Sequence, residues 1–326
     1  MEKFFSTHNQ YLIFLKKLLI LFLTVFILDF SIGRLLEYFY FRQESGFQYR
    51  TTQAMENTTA ELLIFGSSRA SHHYHPEIFE KRMQLSYYNA GRDGSYIFYD
   101  YAVLQAVLKR YTPQIVILDF IADEFRLMPE SYDRISVLLP YYKKHPEIRN
   151  VIALKSPFEK FKLLSSIYPY NSTLFAILAG NMEFNKERSN DFKGYVPLSR
   201  VLTGAIRVDT LPVIYEMDNL KIKTYESFIR TCIDSRITLY IVCSPYFAKS
   251  KYVECSIVQG QIIAEKYNVP FFDFTRDSLV IDNCSLFADY SHLNNDGAKE
   301  FSEMIVERIV RNNSEFRPQV LNLNLQ

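Results

Sequence analysis

The sequence predicts an α/β domain: a doubly wound, three-layer parallel sheet of five strands, preceded by one N-terminal transmembrane helix. Three observations carry that expectation. Short apolar runs alternate with longer helical patterns from residue 61 onward, the signature of a parallel sheet with helices on both faces. The residues able to do chemistry fall just after those runs, where an open parallel sheet places its ligand crevice. The first forty residues differ in composition from everything that follows. At 326 residues, 48% hydrophobic and 22% charged, the chain is long enough for one large domain or two smaller ones.

In chain order, residues 1–42 read as a membrane anchor, with the span at about 12–33. An uncharged run from Leu18 to Leu28 contains only Thr24 as a polar residue and extends to Gly33 across Asp29. A spanning helix needs roughly 20 apolar residues, so Lys16 and Lys17 must snorkel to the interface. Lys3, Lys16 and Lys17 precede the run while Arg34 and Arg42 follow it, a positive-inside bias that puts the bulk of the chain outside the cytoplasm. The expected location is therefore the cell (inner) membrane, single-pass, with the main domain periplasmic or extracellular. Ser31-Ile32-Gly33 has the small-x-small pattern of a cleavage site, but Asp29 and Phe30 fit it poorly and a retained anchor is favoured. A buried amphipathic helix of a soluble protein is the competing reading.

Residues 43–60 read as a polar linker and 61–315 as the main domain, with a tail at 316–326. The strands fall at 62–65, 85–89, 115–120, 237–243 and 270–274. Helices fall at 76–84, with Pro76 in the first turn, and at 98–110, 213–235, 252–267 and 296–311. From about 129 to 207 no good strand is visible, and this stretch reads as a helical insertion lying over the sheet. No internal repeat or low-complexity tract is visible.

A net charge of +1, with no Lys/Arg stripe interleaved with aromatics, argues against a nucleic-acid partner. The 24 tyrosines and 27 phenylalanines suit strands and aromatic clefts equally and assign no function. Cys232, Cys243, Cys255 and Cys284 show neither C-x-x-C nor a Cys/His zinc spacing.

Four stretches follow the strands: Gly66-Ser67-Ser68 after the first, Asn89 to Gly94 after the second, Asp123 after the third and "LFADYSHLNNDGAKEF" after the fifth. Asp289 and His292 are three apart, so one turn can present both to the same cleft. With Ser68 they provide a serine, a base and an orienter. Serine is a weak nucleophile until an imidazole takes its proton, and the carboxylate fixes the imidazole's tautomer and stabilises the imidazolium.

On these residues the sequence resembles the SGNH, or GDSL-like, serine hydrolase superfamily, over about residues 61–311. The resemblance implies a flavodoxin-like sheet and Ser68, third in its block, as nucleophile, with His292 and Asp289 completing a triad. It also implies an oxyanion hole from the Ser68 backbone and Gly94, with Gly91 as the fallback. One block departs: the family's asparagine after the third strand is replaced, at the nearest register, by Asp123. An ionised aspartate cannot donate a hydrogen bond and repels an oxyanion, so Asn89 or Arg92 becomes a substitute candidate.

His72, His73 and His75 invite a metal reading, but no H-E-x-x-H or partner carboxylate at known spacing accompanies them, and neither metal nor cofactor is expected. Asp119 and Glu124 resemble a glycosidase pair only superficially, because that chemistry needs two carboxylates facing across a sugar. The expected function is a membrane-anchored esterase or O-acyltransferase acting on acyl esters, acetyl foremost, of an extracytoplasmic glycan or other envelope polymer, with a membrane partner in acyl transfer. The alternative is a catalytically weak, membrane-tethered polysaccharide-binding or assembly protein on the same fold.

Overall fold

The computed structural model describes residues 2–182, 192–209, 211 and 213–312. Five parallel strands form the sheet: β1 (Leu62–Gly66), β2 (Tyr87–Asn89), β3 (Ile115–Asp119), β5 (Thr238–Cys243) and β7 (Phe271–Asp273), in the spatial order β2-β1-β3-β5-β7. Two short strands, β4 (Arg207–Asp209) and β6 (Ala248–Ser250), make a separate parallel pair. All five expected strands are present and parallel. β2 starts two residues later than expected, because Ser86 turns aside to donate its N–H and hydroxyl to the Glu61 carboxylate. The strand order reverses between β1 and β3, which opens a crevice at their carboxyl ends.

The helices used below are α1 (Glu2–Phe41), α2 (Ser68–His73), α3 (Pro76–Met83), α4 (Ile97–Leu108), α5 (Asn219–Asp234), α6 (Cys255–Lys266) and α7 (Asn295–Asn312). Side chains alternate across a strand, so each run feeds two cores. Leu62, Ile64, Ile115, Ile117 and Val242 face α3 and α7, while Leu63, Phe65, Val116, Leu118 and Ile241 face α4, α5 and α6. That arrangement makes the three layers. Because both faces are covered, the strands read as unbroken apolar runs.

Two segments differ from expectation. Residues 43–60, expected as a polar linker, fold into a helix (Gly46–Thr52) and a wide turn (Gln53–Asn57) that bury Gln48, Arg50, Thr51, Ala54 and Met55. Their polar groups are satisfied internally: the Arg110 guanidinium donates to the carbonyls of Ala54, Met55 and Thr58. Within the expected insertion, residues 129–181 form a chain of short helical turns, but residues 135–152 pack outside α4 rather than over the sheet. Its later part, residues 192–202, runs along the edge of β2, with the Asn89 N–H donating to the Lys193 carbonyl and the Val196 N–H to that of Ser71. This segment covers a strand edge that would otherwise be open.

α1 contains one stretch, Asn9–Phe41, long and apolar enough to cross a membrane, and a signal sequence passes the same test. Its last turns belong to the folded body, where Tyr40 is buried against the rings of Tyr141 and Tyr170. Removing residues 1–28 is therefore expected to leave thermal stability nearly unchanged. Removing 1–45 deletes Tyr40, and losing one such buried aromatic costs on the order of 3–5 kcal/mol. A denaturation midpoint equal for the two truncations would count against this docking.

Candidate active site

The backbone at the end of β1 delivers Ser68 into the crevice. Gly66 sits at φ +134°, and a Cβ there would lie 2.7 Å from the Asp119 carbonyl oxygen, so only glycine lets β1 turn so close to β3. Ser67 is the N-cap of α2 but makes no side-chain capping bond, and Ser68 opens the helix. The N–H groups of this first turn lack intrahelical acceptors by construction.

On the far side, the loop before α7 presents His292. The Phe287–Leu293 bridge closes that loop, and Asn294 ties it to α7 by accepting from the Gly297 N–H and donating to the Ser285 carbonyl. The His292 Nε2 lies 2.7 Å from the Ser68 Oγ, and its Nδ1 lies 3.0 Å from each carboxylate oxygen of Asp289. Burial pushes the Asp289 carboxyl up, but hydrogen bonds from the Ser291 N–H and from His292 outweigh it and hold the group below its ordinary value. An ionised Asp289 accepts from Nδ1–H, which leaves Nε2 bare to accept from the serine hydroxyl. The structure thus brings Ser68, His292 and Asp289 into one hydrogen-bonded chain.

The three clustered histidines go to separate places. His72 Nδ1 bonds the Val196 carbonyl at 2.6 Å, and its other nitrogen faces Asp93 at 3.5 Å. Burial raises the Asp93 carboxyl, but the bond with His72 dominates and brings it down to about 2. His73 is fully buried and accepts the Leu293 N–H at 3.0 Å, bracing the residue next to His292. Burial, reinforced by the charge of neighbouring His292, holds His73 well below its ordinary value, so it is neutral. His75 packs at a tilt against the Tyr195 ring, beside a separate cavity of about 670 Å³ away from Ser68. Among the described residues no cluster of His, Cys, Asp or Glu is arranged to hold a metal ion.

The oxyanion candidates fare differently. The Gly91 N–H donates to the Asn89 side-chain oxygen at 2.9 Å, and the Asn89 amide donates to the Ala70 carbonyl at 2.7 Å. The Asn89 amide is occupied in clamping β2 to α2 and the Gly91 N–H in closing the turn after β2, which corrects the expectation that either is a free donor. The Arg92 guanidinium turns away to Phe47 and Thr51. Gly94, at φ +69°, faces the Arg134 guanidinium and does not line the cleft around Ser68.

That cleft holds about 530 Å³ and is lined by Ser68, His292, Asp123, Arg126, Tyr246 and, unexpectedly, Arg69. The Arg69 side chain is largely buried, donates to the Ser244 carbonyl at 3.3 Å and lies 3.9 Å from the Asp119 carboxylate. Its place directly after Ser68 was visible in the sequence, but the contacts that aim it inward come from residues far along the chain.

Beneath the cleft lie three buried carboxyls. Burial raises Asp119, raises Asp100 well above its ordinary value, and lifts Glu124 from 4.5 to about 7 despite nearby Lys221. Glu124 keeps its proton in the folded state over a window where the unfolded chain has lost it, so its contribution to stability declines as pH rises from about 4.5 to 7. The full effect is on the order of 3 kcal/mol. Neutral His73 acts oppositely, since it gains a proton on unfolding below pH 6.5, so the two slopes offset each other below that pH and the cost of ionising Glu124 stands in full from about pH 7 upward. Glu124→Gln keeps the acceptor for the Ile97 N–H and is expected to raise the melting temperature at pH 8 but not at pH 5. Parallel pH profiles of variant and wild type would refute this.

No protein-family model matches the chain, and no curated protein does either. Among solved structures it is similar to a "putative acylhydrolase" from Bacteroides fragilis, at 9% identity and a TM-score of 0.40, over 83% of this chain and 98% of that one.

Proposed function

We propose that this protein is a membrane-anchored serine esterase or O-acyltransferase of SGNH type, acting on acyl esters of a glycan or other envelope polymer outside the cytoplasm. The observation that carries the proposal is the continuous bonding from Asp289 through His292 to Ser68 at the mouth of the sheet. In this reading His292 takes the Ser68 proton as Oγ attacks the ester carbonyl, and Asp289 stabilises the imidazolium. The tetrahedral oxyanion is met by the N–H groups opening α2 and by the Arg69 guanidinium. His292 then protonates the departing alkoxide, and water or a sugar hydroxyl, deprotonated by the same imidazole, releases the acyl group from Ser68. The anchor reading rests on α1 and on the lysines that precede its apolar run. The polymer substrate rests on the aromatic lining of the cleft, Tyr215, Tyr246 and Tyr290, which suits sugar rings. An activated-serine phosphonate tests the proposal: it should label the wild type, and absence of labelling favours the alternative, a tethered polymer-binding protein.

Asp123 is the residue that favours that alternative. It shares the cleft with Ser68, and a carboxylate beside a developing oxyanion opposes the reaction. Asp123→Asn is expected to raise kcat on a simple acyl ester severalfold. An unchanged kcat with water but impaired transfer to a sugar hydroxyl would instead assign Asp123 to acceptor binding. A large loss of simple hydrolysis would overturn both accounts.

A further inference from the structure

The insertion contains a surface that the chemistry does not use. Along residues 158–164, Glu159 and Leu163 point inward and are buried, while Phe158, Phe161 and Leu164 are 64%, 69% and 81% exposed. Their three-residue spacing puts them on one side of a tight helical stretch. On the helix Leu174–Asn181, Ile177 is buried, whereas Phe175 and Leu178 are 88% and 59% exposed on the opposite side. Large apolar side chains grouped this way are rare on a surface that meets only water.

This segment is braced along α1. The Asp29 carboxylate, the one charge interrupting the apolar run, accepts from the Ser165 hydroxyl, from the Ser166 N–H at 2.6 Å and from the Ile167 N–H at 3.4 Å. Gly33 allows this approach, since a Cβ there would lie 2.3 Å from that of Ser166. Farther along, the Asn181 amide donates to the Phe39 carbonyl. Depth follows from helix rise. Asp29 is twelve residues beyond Lys17, roughly 18 Å at 1.5 Å per residue, within a hydrocarbon layer of about 30 Å that begins near the lysines. If the lysines snorkel and the span starts near Leu12, Asp29 is still below the far interface. A carboxylate at that depth requires partners, and among the described residues the hydrogen-bond donors to Asp29 all come from residues 165–167. That turn must therefore reach the same depth and carry its neighbours to the membrane with it.

We infer that residues 158–182 form an interfacial skirt around α1, with Phe158, Phe161, Leu164, Phe175 and Leu178 inserted into the outer leaflet at the boundary between headgroups and acyl chains. The occupant of this surface is lipid. Exposed Lys160, set among these residues, suits anionic headgroups. The inference rests on the reading of α1 as a membrane anchor, and the experiment separates the two.

The chain has no tryptophan, so one introduced tryptophan reports alone. Four full-length variants would be placed in phosphatidylcholine–phosphatidylglycerol nanodiscs with and without brominated acyl chains: Leu21→Trp in α1, Phe161→Trp, Phe175→Trp, and Leu279→Trp on an exposed site elsewhere. Groups seated at the acyl boundary should lose about half their emission or more, so Leu21→Trp, Phe161→Trp and Phe175→Trp are expected to be quenched and Leu279→Trp unaffected. If Leu21→Trp alone is quenched, the anchor stands and the skirt is overturned. Should Phe161→Trp and Phe175→Trp be quenched without Leu21→Trp, the surface docks on lipid and the spanning helix is wrong. Loss of quenching at all three sites overturns both.

Discussion

Ser68→Ala is expected to abolish phosphonate labelling and lower turnover of a nitrophenyl acyl ester by about 10³-fold or more, the scale seen when a serine nucleophile is removed. The fold should not suffer. Ser68 opens α2 without capping it, its hydroxyl is bonded only to a partly exposed His292, and neither core depends on that oxygen. Ser67→Ala is the matched control: its hydroxyl caps nothing, so activity is expected to fall less than about threefold if nothing else moves. Equal losses in the two variants would transfer the role to a local backbone effect. Full activity in Ser68→Ala with retained labelling would remove the serine mechanism.

Much of this was legible in the sequence for a physical reason. A strand covered on both faces must be apolar at every position, so β1, β3 and β5 stand out as runs such as "LLIF", "IVIL" and "LYIVC" without alternation. The spacing of Asp289 and His292 was equally readable, because a single turn determines it. Residues 43–60 misled because polarity there reflects internal hydrogen bonding rather than contact with water, with Arg110 supplying the donors from more than 50 positions away. Asn89 and Gly91 were misjudged for the same reason. Their positions at the end of β2 and just beyond it were plain, but Ala70, whose carbonyl occupies the Asn89 amide, belongs to another element. The skirt was hidden because turns as short as Glu159–Lys162 have too few residues to display a helical period, and an exposed phenylalanine reads in sequence like a buried one.

Arg69 carries the second large expectation. With Gly91 and Asn89 occupied and Asp123 in the place of an amide donor, the cleft lacks the side-chain hydrogen bond donor that the resemblance implies after β3. Arg69 compensates in charge as well as in hydrogen bonding, because a guanidinium is a permanent cation held by Ser244 and Asp119 at the cleft floor. If it meets the developing oxyanion, Arg69→Met should lower kcat by about 10²–10³ while leaving KM nearly unchanged, since the contact exists only once negative charge has formed. A purely structural role would behave differently: removing Arg69 leaves buried Asp119 without its cation, so the variant would melt earlier and lose activity in proportion to folded protein. Arg69→Lys separates the two. It keeps the positive charge beside Asp119 and should recover most of the stability, but a compact ammonium cannot hold Ser244 and reach the substrate oxygen together, so kcat should recover only in part. Recovery of kcat in step with melting temperature would make Arg69 a scaffold residue and leave the oxyanion to the N–H groups opening α2.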